Sequence, residues 1–362
     1  MTIAYAQEYR DPAIAQSLVR QLNSVSTRPI RLMEVCGTHT MAIFRHGIRA
    51  LLPDTITLLS GPGCPVCVTA QGDIDAFVAL SRRKDVTVTT FGDLMRVPGS
   101  GSCLQRETAE GADVRMVYSP MDAVNLASEL PQREVVFLGV GFETTAPTIA
   151  AAILTAKKKQ LKNFSVYCAH KTVPTALEAL MDNPRVRIDG FLLPGHVSVI
   201  IGVDAYGPFF DHYQTPSVVA GFEPVDVLRG ILELVTMFEK ERPGLGNVYP
   251  RAVTDQGNPQ ARQVMATVFE PCDALWRGLG VIPQSGLCMR EGFAEFDAVR
   301  RYDLKVVERP DPKGCACGEI LSGIKTPLQC ALFRKLCTPV NPVGPCMVSS
   351  EGTCAAHYRY SV

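Results

Sequence analysis

The sequence is notable first for what it lacks. Its 362 residues carry 36 basic and 36 acidic side chains, so the net charge is zero. A chain without charge excess, and without a basic run interleaved with aromatics, is not expected to bind nucleic acid or an anionic membrane by bulk electrostatics. Aromatics make up 7% of residues, with a single tryptophan. The most apolar stretch, FLLPGHVSVIIGVDAYGPFF, is interrupted by Pro194, Gly195, His196 and Asp204. It falls short of the roughly 18 uninterrupted apolar residues of a membrane span. The opening residues MTIAYAQEYRDPAIAQ are charged and lack an apolar h-region, so no secretory leader is expected and the reading is cytoplasmic. Nucleotide-cradling G-x-x-x-x-G-K-[ST] and G-x-G-x-x-G patterns are absent, as is an ordered Ser-His-Asp set. P-loop, dinucleotide and triad-hydrolase chemistries therefore have no support.

Cysteine is abundant instead, with 13 residues. Thiols in a reducing compartment serve metal or redox chemistry more often than structural disulfides. Cys315, Cys317, Cys330, Cys337, Cys346 and Cys354 crowd the last 48 residues, and Cys36, Cys64 and Cys67 form a looser N-terminal group. Cys103, Cys168, Cys272 and Cys288 are scattered and read as small buried hydrophobes.

From residue 30 onward, short apolar runs alternate with amphipathic patterns: IRLMEV, TITLLS, TVTTF, VRMVY, VVFLGV, FSVYCA, GFLL and SVVAG are strands, each followed by a helical segment. Apolar strands each followed by a helix predict an α/β fold with parallel sheets covered on both faces. The expected organisation is two parallel-sheet α/β domains, residues 28–119 and 120–222. A mainly helical and loop-built domain of residues 1–27 and 223–362 carries the cysteine-rich segment, and the helix at 12–24 is expected to pack on it.

Ligands of open parallel sheets bind beyond the carboxyl ends of the strands, where CGTHT, GPGCPVC, GDLMRVPG, GFETT, CAHK and PGHVS all fall. Cys36 follows a strand and precedes a helix, a position whose amides and dipole favour a thiolate and lower the thiol pKa. His39 is placed to pair with that thiolate or to bind a metal; a helix-start turn with a satisfied histidine is the plain alternative. Cys64 and Cys67 have the C-x-x-C spacing of a redox pair, with half a zinc knuckle or two buried thiols as alternatives. Glu143 is a carboxylate at the end of an apolar strand, costly to bury unless paired. His170, with Lys171, and His196 sit at equivalent strand ends as bases, metal neighbours or partners of Glu143. The C-terminal cysteines suit an iron–sulfur cluster, and a Cys₄ zinc site is the alternative.

Together MEVCGTHTMAIFRHG, SGPGCPVCVT, TFGDLMRVPG, GFETTAPT, CAHK, LLPGHVSVIIG and the block from CACGEILSG to EGTCAAHYRY resemble the HypD family of [NiFe]-hydrogenase maturation proteins over nearly the whole chain. Where some members carry a second histidine in the first motif, this chain has Met41. The resemblance implies a scaffold on which the Fe(CN)₂CO unit is assembled with the small chaperone HypC. Cyanide comes from HypE, with HypF upstream of it, and the hydrogenase large subunit is the eventual recipient. It also implies a [4Fe–4S] cluster on Cys315, Cys330, Cys337 and Cys354, matching the spacing C-x₁₄-C-x₆-C-x₁₆-C, which leaves Cys317 and Cys346 as neighbours. In that setting Cys36 is the iron ligand, and His39 hydrogen-bonds to its thiolate or to a cyanide nitrogen. Cys64 and Cys67 are a relay between cluster and iron, and Glu143, His170 and His196 line the site. A stand-alone [4Fe–4S] thiol oxidoreductase, similar to ferredoxin:thioredoxin reductase, is the rival reading, and a zinc-stabilised scaffold the third.

Overall fold

The computed structural model describes residues 7–361. Eleven strands form in the described residues: β1 (Ile30–Glu34), β2 (Ile56–Ser60), β3 (Val86–Thr90), β4 (Val114–Met116), β5 (Glu134–Gly139), β6 (Phe164–Cys168), β7 (Gly190–Pro194), β8 (Ser217–Ala220), β9 (Leu245–Asn247), β10 (Phe269–Trp276) and β11 (Gly280–Met289). Every residue of β3, β7 and β8 is buried, as parallel strands covered on both faces require. The α/β class is as expected. One sheet runs β2-β1-β7-β8-β9 and the other β4-β3-β5-β6, all pairs parallel.

The pairing crosses the expected boundary at 119/120. β1 and β2 join β7 and β8, so β3 to β6 form a unit inserted between β2 and β7. Local periodicity identifies a strand but carries no information about its partner, and the division by chain order is corrected accordingly. Two features beyond residue 222 also differ from a helical and loop-built remainder. β9 extends the first sheet, and β10–β11 is an antiparallel hairpin. Pro271 and Pro283 hid that hairpin, because proline inside a run argues against a strand. The rest of the C-terminal segment consists of loops and short helices, among them Cys317–Leu321, Pro345–Val348 and Thr353–Tyr360.

The Pro12–Val25 helix starts on Asp11, whose Oδ1 accepts the Ala13 N–H at 2.7 Å. It buries Leu18 and Leu22 and packs on the Pro224–Glu239 helix. That second helix sets Leu228, Ile231, Leu234 and Val235 over the first sheet. Among the described residues, no helix is long and apolar enough to cross a membrane.

Candidate functional site at the strand ends

β1 ends at Glu34, and Cys36 caps the Gly37–Arg45 helix in an extended conformation, φ −149° and ψ 122°. The GPGCPVC turn lies directly on this loop. Gly61 N–H donates to Glu34 O at 2.8 Å, and Gly37 N–H to Gly63 O at 3.0 Å. A Cβ on Gly63 would fall onto the Cys36 backbone N and Cα, so glycine is what lets the two loops touch. Cys64 then caps the short Pro65–Val68 helix and is disulfide-bonded to Cys67, with 5.2 Å between the Cα atoms. Both cysteines are buried, at 3% and 0% exposure.

Cys36 is itself buried, and burial pushes its thiol up to about 12. The amides of His39 and Thr38 oppose the shift, but Glu351 and Glu34 add to it. The expected lowering of this pKa is therefore corrected. The helix start does supply favourable amides, yet desolvation and two carboxylates outweigh them. At neutral pH the free thiol is therefore protonated, and a coordinating metal cation is what would deprotonate it.

Glu34, which the sequence reading passed over, stands beneath the loop. It is 1% exposed, accepts the Cys36 N–H at 3.2 Å and the Thr40 hydroxyl at 2.5 Å, and burial raises its pKa to about 7. The signal that singled out Glu143, a carboxylate ending an apolar strand, applies equally to Glu34 in IRLMEV.

His39 is fully buried. Its Nε2–H donates to Gly221 O at 2.9 Å, while Nδ1 has no partner, and burial lowers its pKa to about 4. The ring is thus neutral, with a bare Nδ1 acceptor, and its donating nitrogen serves the backbone. Phe222 lies between two imidazoles, with ring centroids 4.7 Å from His39 and 3.9 Å from the exposed His196. Glu143 is buried too. Its Oε1 accepts the Val173 N–H at 2.9 Å, Oε2 is unpartnered, and burial raises its pKa to about 7. Val140 and Thr145, which flank Glu143, line one cavity with Pro65 and Val66 of the disulfide turn, so the GFETT loop faces that turn.

His170 goes elsewhere. Neither ring nitrogen has a partner, and it lines a separate pocket of about 160 Å³ with Cys168, Lys171, Cys272 and Asp73. Cys168, Cys272 and Cys288 are half-buried and gathered by β6 and the hairpin, where isolated buried thiols were expected.

The C-terminal cysteines converge. Cys315, Cys317, Cys330, Cys337, Cys346 and Cys354 line one pocket walled by Ile320, Leu332, Phe333 and Met347. The sulfurs of Cys317 and Cys346 are 2.8 Å apart. Among the described residues, no three His, Cys, Asp or Glu side chains converge on a single-ion site. Thiolates disposed around an apolar pocket match the donors and surroundings of an iron–sulfur cluster. The Pro345–Val348 helix, which carries Cys346, packs on the Pro65–Val68 helix, which carries Cys67. Between Cys346 and Cys354, Glu351 reaches the Cys36 loop. Its Oε1 accepts the Thr38 hydroxyl at 2.7 Å, and its Cβ lies where a side chain on Gly37 would clash with it. Sequence spacing carried no sign of Glu351.

Fold and site together define an α/β scaffold on which three thiol groups, separated by up to 318 residues of chain, are brought into one contiguous assembly: Cys36, the Cys64–Cys67 pair and the C-terminal six. Residues 13–361 match the family model described as "HypD: Hydrogenase formation hypA family". The chain is 48% identical to the hydrogenase maturation factor HypD of Cupriavidus necator, over 98% of this chain and 97% of that protein. It is 46% identical to HypD2 of Bradyrhizobium diazoefficiens, over 98% and 96%. Identity to HypD of Escherichia coli is 45%, over 98% of each. The chain belongs to the HypD family.

Proposed function

We propose that this hydrogenase maturation factor holds the nascent Fe(CN)₂CO unit as cargo on Cys36. The observation that carries this reading is the contact of Gly63 with the Cys36 backbone, which sets a disulfide-forming pair against a buried thiol. Low-spin Fe(II) with cyanide and CO is a soft centre suited to thiolate donors. A second thiolate comes from the HypC-type chaperone, and cyanide from a HypE-type donor. The protein acts in the cytoplasm, where its partners would be made.

Cys315, Cys330, Cys337 and Cys354 would hold a [4Fe–4S] cluster, which supplies single electrons when bound. Cys317 and Cys346 belong to the same pocket, and the short helix that carries Cys346 packs on the one that carries Cys67. Reduction of the pair takes two electrons and two protons and leaves two thiols beside the cargo. Glu143, with its pKa raised to about 7, is a proton source at neutral pH, and His39 offers a bare Nδ1 as acceptor. The burial of Cys64 and Cys67 weighs against the rival thiol oxidoreductase, since a protein disulfide could not reach either sulfur without opening the fold.

Anaerobic purification with iron, sulfide and zinc quantitation tests the cluster assignment. About four iron and four sulfide per chain, lost in Cys330→Ser, are expected. Zinc in their place would overturn it.

A further inference from the structure

The segment around Cys330 and Cys337 has an unusual surface. From residue 320 to 350 there is no Asp or Glu, while Lys325, Arg334 and Lys335 are basic. Lys325 is paired with Glu319. Arg334, Lys335, Arg359 and Arg96 are exposed, and none of them makes an ion pair with a carboxylate among the described residues. Arg96 donates to Pro339 O, which ties it to this face, and Arg334 donates to the Tyr358 and Ser361 carbonyls. Within this basic surface Leu328 and Leu336 are 64% exposed and Val340 91%.

A chain of zero net charge thus sets Arg334 and Lys335, free of carboxylate partners, beside the bare aliphatic side chains of Leu336 and Val340 on one loop, with Arg96 held to it through Pro339 O. The loop closes tightly on itself, with Cys337 N–H donating to Leu332 O at 2.9 Å and Arg334 N–H to Cys337 O at 3.2 Å. Cys330 is only partly buried at its edge. Exposed aliphatic side chains interspersed with charge of one sign suit a transient protein interface, and that sign selects the partner.

We propose that this loop is the docking face of a small acidic one-electron carrier protein of the ferredoxin class. The inference rests on the cluster reading given above. Each encounter would pass one electron from the reduced carrier, which is oxidised by one, to the cluster that Cys315, Cys330, Cys337 and Cys354 would hold. Two encounters and two protons from solvent convert the Cys64–Cys67 disulfide to two thiols. The arrangement accounts for a cluster near the surface serving a disulfide that is buried.

The test uses the full-length holoprotein and an acidic plant-type [2Fe–2S] ferredoxin. Calorimetry reads binding. Stopped-flow bleaching of cluster absorbance reads electron transfer from photoreduced ferredoxin, with dithionite as a reductant that needs no docking. In the wild type both binding and ferredoxin-driven rate should fall steeply with salt. Arg334→Glu/Lys335→Glu should weaken both by about tenfold or more at low salt, leaving the dithionite rate unchanged. Reversal of a remote exposed pair, Lys158→Glu/Lys159→Glu, should change neither. Should Arg334→Glu disturb folding through its carbonyl contacts, Lys335→Glu alone carries the test. Wild-type binding in the double variant, or salt-independent binding, would overturn the docking face. Absence of a cluster that dithionite can bleach would instead overturn the cluster reading, while calorimetry still decides the surface.

Discussion

Gly63→Ala is the sharpest perturbation of the proposed geometry. The added methyl would occupy the position of the Cys36 backbone N and Cα, and backbone cannot swing aside as a flexible side chain does. The two loops must separate, which costs about 1–3 kcal/mol for overpacking. Separation also breaks the Gly37 N–H to Gly63 O and Gly61 N–H to Glu34 O bonds, at about 1 kcal/mol each. The expected loss is therefore about 3–5 kcal/mol, read by anaerobic urea denaturation followed by circular dichroism. Gly101→Ala is the control, since a Cβ there meets nothing within 4 Å. It should stay within about 0.5 kcal/mol of wild type. A Gly63→Ala protein destabilised by less than about 1 kcal/mol would refute the claim that the contact holds the two thiol loops together.

Two further outcomes follow from the buried groups. The Glu143 carboxyl is raised from 4.5 to about 7, so the folded state retains a proton that the unfolded chain releases between those values. Stability therefore falls as pH rises through that window, by up to about 3 kcal/mol. Glu143→Gln should flatten that part of the stability–pH curve, and an unchanged slope would contradict the assignment. Cys64→Ser should keep the visible absorbance of the C-terminal cluster yet abolish hydrogenase maturation in vivo; active hydrogenase in that strain would remove the pair from the pathway.

The strands were legible because each is a short apolar run between turn signals, and all eight runs named from the sequence form strands. Their grouping into sheets was not, because partnering is decided by contacts across more than a hundred residues, as between Met33 and Phe191. The thiol loops were legible as motifs at strand ends. Their contact was not, since it depends on Gly63 meeting Cys36 from another strand. The thiolate expectation for Cys36 failed because a helix start is visible in sequence, whereas the burial of the thiol, and the approach of Glu351 to it, arise only in the fold. His170 shared the strand-end position of the other candidates, but the β10–β11 hairpin covers its loop and walls it into a different pocket.

The central claim is that Cys36 carries the iron. Infrared spectroscopy of the protein co-purified anaerobically with its HypC-type chaperone tests it most directly. Iron-bound CO and CN⁻ stretching bands should be present in the wild type and absent in Cys36→Ala; bands that persist in that variant would contradict the account.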